Sequence, residues 1–134
     1  MRLLGRADLR ALLESPEDIS VSIYLPTKRT GDVEQGAIRF KNLMRDAEEK
    51  LLVQGLRQPD AERMLKDARA LVDDTLFWHH QTDGLALFLS AGTFTYFRLP
   101  YNLDETVVVS DRFYLSPLLP LFAADGIFYV LGLS

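Results

Sequence analysis

Gly84-Leu-Ala-Leu-Phe-Leu-Ser-Ala-Gly-Thr-Phe-Thr-Tyr-Phe-Arg-Leu-Pro100 decides how the rest of the chain must be arranged. Its first half, Leu85 to Leu89, is an unbroken apolar run between Asp83-Gly84 and Ser90-Ala91-Gly92, the mark of a strand buried on both faces. Its second half alternates. Phe94, Tyr96 and Arg98 point one way, and Thr95, Phe97 and Leu99 the other. Gly92 is expected to supply positive φ for a tight hairpin turn. A hairpin that is apolar on both faces needs cover, and the flanking sequence offers helices to provide it.

Upstream, residues 6–14 place Leu9, Leu12 and Leu13 on one side of a short helix that Ser15-Pro16 stops. Ile19, Val21, Ile23 and Leu25 alternate with Ser20, Ser22 and Tyr24, the period of a strand with one buried face. Pro26 ends it, and Pro26-Thr-Lys-Arg-Thr-Gly31 follows as a polar loop. Between Val33 and Val53, Ala37, Phe40, Leu43, Met44, Ala47 and Leu51 keep helical spacing, with Arg45–Glu49 and Asp46–Lys50 as i,i+4 pairs on the solvent side. Gly55 suits the position after the helix, and Pro59 the first turn of a second one. That second helix is expected to bury Ala61, Met64, Leu65, Ala68, Leu71, Val72 and Thr75, with Phe77-Trp78 seating its end on the core.

Downstream, Thr106 to Val109 reads as a third sheet segment and Ser116-Pro117 as the N-cap and first residue of a short helix through Phe122. After an Asp125-Gly126 turn, Ile127 to Ser134 reads as a terminal strand. An apolar strand without a polar tail suggests that the sequence belongs to a longer protein, with a unit over 1–126 and the strand 127–134 opening a further domain. The predicted fold class is α+β: a mixed, mostly antiparallel sheet with a helical hairpin packed on one face.

At 134 residues, with 48% hydrophobic and 25% charged residues, the chain has the composition of a soluble globular domain. The net charge of -4 gives no general affinity for polyanions, so any RNA contact must be local. The absence of cysteine removes disulfides, thiolate chemistry and cysteine-based zinc sites. No apolar leader or spanning run is present, which makes the cytoplasm the expected location and a membrane an unexpected partner.

The most distinctive polar cluster is basic: Lys28 and Arg29 in the loop, then Arg39, Lys41 and Arg45 on the first long helix. Residues 28–57 carry a surplus of two positive charges, leaving -6 elsewhere. Guanidinium forks and ammonium groups match phosphate oxygens, so the cluster is a candidate grip on an RNA backbone, against the plainer reading of a solvated helix face. Asp73-Asp74 and His79-His80 lack a convincing third ligand, and Leu76, Phe77 and Trp78 between them look like core, so no metal centre is expected. No nucleophile elbow, phosphate loop or dinucleotide glycine pattern occurs, and Ser116 and Thr27 have no general base nearby in sequence. Tyr96 and Tyr101 could stack on bases, but packing is the simpler role for an aromatic on a half-buried strand.

Read in order, Val21-Ser-Ile-Tyr-Leu-Pro-Thr27, Ile38-Arg-Phe-Lys-Asn-Leu43, Ala47-Glu48, Phe77-Trp78, Asp83-Gly-Leu-Ala-Leu-Phe88, Phe97-Arg-Leu-Pro100, Phe113, Pro117-Leu-Leu-Pro120 and Asp125-Gly-Ile-Phe-Tyr-Val-Leu131 resemble the N-terminal domain of bacterial members of the archaeo-eukaryotic release factor superfamily, relatives of Pelota. The resemblance implies a ribosome-facing first domain whose middle and C-terminal domains are further partners. The superfamily's Gly-Gly-Gln tripeptide and Asn-Ile-Lys-Ser tetrapeptide are absent, which implies a stop-codon-independent role in ribosome rescue, recycling or dormancy. By the same resemblance Pro26, Thr27, Arg39, Lys41 and Asn42 are polar-site positions to test. Together with the basic cluster, the candidate RNA-binding set is Thr27, Lys28, Arg29, Arg39, Lys41, Asn42 and Arg45, with no catalytic residue, cofactor or metal. The alternative is a protein-interaction or intramolecular docking domain.

Overall fold

Ser20–Pro26 (β1) is the strand on which the sheet is centred in a computed structural model that describes residues 6–14, 19–27, 33–79 and 83–120. β1 pairs antiparallel on one side with Gly84–Ser90 (β2) and on the other with Thr106–Ser110 (β4). Thr93–Leu99 (β3) completes the hairpin outside β2, giving the order β3-β2-β1-β4 with every described pairing antiparallel. The protein is thus α+β. The third sheet segment joins β1 rather than extending the hairpin.

Arg6–Leu13 (α1), Val33–Val53 (α2), Gln58–Ala70 (α3) and Thr75–His79 (α4) supply the helices. One sheet face, carrying Val21, Ile23, Leu25, Leu85, Leu87 and Leu89, is buried beneath Phe40, Met44, Ala47 and Leu51 of α2, Ala61, Leu65 and Ala68 of α3, and Phe77 and Trp78 of α4. Glu48 and Arg69 tie α2 to α3 by a charged hydrogen bond, which with Gln58 holds the Glu48 carboxyl below its ordinary range. Gly55, between the two helices, has φ 104°, the left-handed value glycine reaches without a Cβ penalty.

The opposite sheet face is also covered. Tyr24, Ala86, Phe88, Phe97 and Leu99 pack against Leu9 and Leu12 of α1 and against Leu103, Phe113, Leu115 and Leu118. β1 is therefore buried on both sides, not on one as its alternation suggested. Two of the three hydroxyls in its polar row find partners in burial: Ser22 Oγ accepts the Tyr114 N–H at 2.8 Å, and Tyr24 O–H donates to the Tyr114 carbonyl, whereas Ser20 Oγ is buried without a hydrogen-bond partner. Burial, with Tyr101 and Tyr114 nearby, pushes the Tyr24 phenol above its ordinary range.

Three local expectations are corrected. The second long helix ends at Ala70, passes through a 3-10 turn at Leu71–Asp73 and restarts as α4, which leaves Thr75 exposed instead of inward. Asp74 makes the break: its backbone is extended and its Oδ1 accepts the Phe77 N–H at 3.1 Å, capping the new helix. Ser116 is the first residue of a 3-10 turn over Ser116–Leu118, with Leu115 before it and no side-chain cap. The proposed 127–134 strand and the Asp125-Gly126 turn lie outside the described residues.

The Ala91-Gly92 turn is the third correction. Among the described residues only Gly55 has positive φ, so Gly92 does not use the freedom expected of it. Ala91, whose Cβ resists positive φ, selects an unprimed turn. A Cβ on Gly92 would meet nothing within 4 Å. Gly92→Ala should accordingly raise stability by about 0.4–1 kcal/mol, through the unfolded chain, as measured by denaturant melts. A loss of stability would show that the turn needs glycine after all.

Candidate functional site

The helical phase of α2 decides which of the candidate cations meet. Successive residues turn by roughly 100°, so Arg39 and Lys41 emerge on opposite shoulders of the solvent face while Asn42 and Arg45 lie across its crown. Arg39 leans back onto the body. Its Nη1 donates to the Pro26 carbonyl at 3.4 Å and its Nε stands 3.9 Å from Glu105 Oε1. This pair bridges α2, the end of β1 and the segment before β4. Thr27 is half-buried beside it, its N–H donating to the Asp83 carbonyl at 3.0 Å.

Lys41, Asn42 and Arg45 are exposed. Asp46 takes Lys50 at 3.7 Å as expected, whereas among the described residues no ion pair joins Arg45 to Glu49 or engages Lys41. The structure thus groups Thr27 with Arg39 in a structural corner and Lys41, Asn42 and Arg45 on an outward stripe. Lys28 and Arg29 lie outside the described residues. Ile38, 53% exposed, and Leu52, 36% exposed, continue the same stripe one heptad to either side of Arg45, an apolar contribution that amphipathic counting on the inner face did not isolate.

The other candidates resolve as structural. Tyr101 O–H donates to the Pro117 carbonyl at 2.7 Å, and burial raises its pKa. Tyr96 packs edge-on against Phe77 at 5.0 Å between ring centres. Trp78 Nε1 donates to the Leu71 carbonyl at 2.7 Å and its ring lies 5.4 Å from that of Phe40. Among the described residues no three His, Asp or Glu side chains converge as metal ligands, and no described helix is long and apolar enough to cross a membrane.

Arg98 is the polar residue whose environment the sequence did not disclose. Its guanidinium carbon stands 5.3 Å from the Phe77 ring centre and 5.5 Å from that of Tyr96, and its Nε is buried without a hydrogen-bond partner. The available signal was an arginine in an otherwise aromatic row.

No family model and no curated protein matches the chain. Among solved structures, one described as an archaeal protein shares the fold, with a TM-score of 0.54 and 20% identity over 89% of this chain. The chain spans about a third of that protein's length, 33%.

Proposed function

We propose that this domain is a non-catalytic, ribosome- or RNA-facing module of a longer release-factor-like protein acting in ribosome rescue, recycling or dormancy. The observation that carries the reading is the pair Lys41 and Arg45, one helical turn apart on α2, exposed and with no ion-pair partner among the described residues. Unpaired surface cations release counterions on meeting phosphates, whereas paired ones must first break a contact. Arg39, held by Pro26 and Glu105, would shape the support and leave gripping to the outer pair. The likeness to one third of an archaeal chain supports a protein of several units. The ordered sequence motifs supply the link to translation.

The Lys41→Ala/Arg45→Ala variant should bind ribosomes or single-stranded RNA more weakly and with a salt slope shallower by roughly 1.4, two phosphate contacts' worth. Arg57→Ala/Arg63→Ala, which removes two arginines already facing Asp60, is the matched control and should change little. Co-sedimentation at several salt concentrations that does not distinguish the two variants would falsify the reading.

A docking role for the same stripe is favoured by one observation, the exposure of Ile38 and Leu52 beside the cations. It predicts salt-insensitive binding that Ile38→Ser/Leu52→Ser abolishes.

A further inference from the structure

β3 closes one side of the sheet, and among the described residues no strand pairs with its outer edge. The hairpin register fixes which backbone groups are left over. With Ser90 opposite Thr93 across a two-residue turn, Thr93, Thr95, Phe97 and Leu99 exchange hydrogen bonds with β2, and the N–H and C=O of Phe94, Tyr96 and Arg98 point outward. Such a row is a template for another strand.

At the end of this row sits Arg98. The Phe77 and Tyr96 rings hold its guanidinium by cation–π attraction, but ring faces accept none of its in-plane N–H bonds, and Nε is already shut away from water. No carboxylate pairs with it among the described residues. Half-buried guanidinium groups ordinarily have such a partner. An open cleft of about 310 Å³, lined by Phe94, Thr95, Tyr96 and Arg98, lies alongside.

We propose that the β3 edge and Arg98 form a binding site for an extended acidic peptide, which adds to the sheet as a fifth strand and places a carboxylate on Arg98. The outward ladder supplies main-chain hydrogen bonds, the aromatic row receives alternate apolar side chains, and the guanidinium fork fixes register. Nucleic acid is a poor fit, because this edge offers one cation on a protein of net charge -4. A second copy pairing through β3 also fits poorly, since Thr-Phe-Thr-Tyr-Phe-Arg-Leu contains no acidic residue to meet Arg98. The site is separate from the α2 stripe and stands or falls independently of it.

The test is selection of short random peptides displayed on phage against the full chain, followed by affinity measurement of the selected peptide and its Glu→Gln or Asp→Asn counterpart. Selected peptides should carry an acidic residue beside alternating β-branched or aromatic positions, and the amide counterpart should bind about tenfold more weakly, as expected for a charge-assisted pair. In Arg98→Gln that discrimination between acid and amide should vanish, while Arg98→Lys should keep part of it. Hydrogen exchange should slow at the amides of Phe94, Tyr96 and Arg98. Comparing two peptides on one variant separates the site from any general loss of stability. The proposal is overturned by enrichment of uncharged or basic peptides, acid-over-amide preference persisting in Arg98→Gln, protection centred on α2, or self-association through β3. Glutarate occupying Arg98 as tightly as the peptide would also overturn it, showing a free-anion site in place of strand addition.

Discussion

Gly84→Ala is expected to cost about 3 kcal/mol or more and to lower Tm by roughly 10 °C. Gly84 opens β2 at the point where Pro26 and Leu99 flank it in the sheet. A Cβ there would collide with the Tyr101 backbone carbonyl and come within 2.9 Å of Leu103 Cδ1. The side-chain contact could be relieved by rotation, but the carbonyl belongs to the segment that carries Leu103 into the second core and cannot yield alone. Thermal melts of Gly84→Ala and Gly92→Ala in parallel make the comparison sharp, since the same chemical change should destabilise one position and stabilise the other. An unchanged Tm for Gly84→Ala would mean that residues 101–103 are not held against β2.

Trp78→Ala should lose about 3–5 kcal/mol. The indole lies against Phe40 and Phe77 and approaches the Gly36 backbone so closely that a Cβ there would stand 3.2 Å from Cε3. It therefore joins α2 to α4, while its N–H donates to the Leu71 carbonyl at the helix break, which also accepts the Asp74 N–H at 3.1 Å. Trp78→Phe keeps most of the apolar contact and removes one of that carbonyl's two hydrogen bonds, at about 0.5–1.5 kcal/mol. Chemical denaturation followed by far-UV circular dichroism checks both values, since the substitution removes the protein's sole tryptophan. Equal losses for the two variants would assign the whole effect to the hydrogen bond.

Periodicity made most of the elements legible, because a strand or helix with one dry face writes that face into its sequence. α2 and the hairpin of β2 and β3 are the clearest examples. What escaped depends on distant partners. The Ser20-Ser22-Tyr24 row reads as solvent-facing until Tyr114, ninety-odd positions downstream, donates to Ser22 and accepts from Tyr24. The helix break needed the capping role of Asp74, which competes with an apolar pattern that continues across it. The basic cluster looked continuous along the chain, yet one residue more or less on a helix turns a side chain by roughly 100°, which sent Arg39 inward to Glu105 and left Lys41 and Arg45 outside.

The central place of β1 has a consequence during synthesis. Both strands that flank it are encoded later, the first from Gly84 and the second from Thr106, whereas α2 and α3 follow β1 directly. At about 5–20 residues per second, roughly 3–12 s separate completion of β1 from the arrival of its first neighbour. The nascent β1 must pass that interval as an apolar segment without a strand mate, and α1, made before it, and the helical pair emerging behind it are the native surfaces available to shield its two faces from chaperones or from other nascent chains.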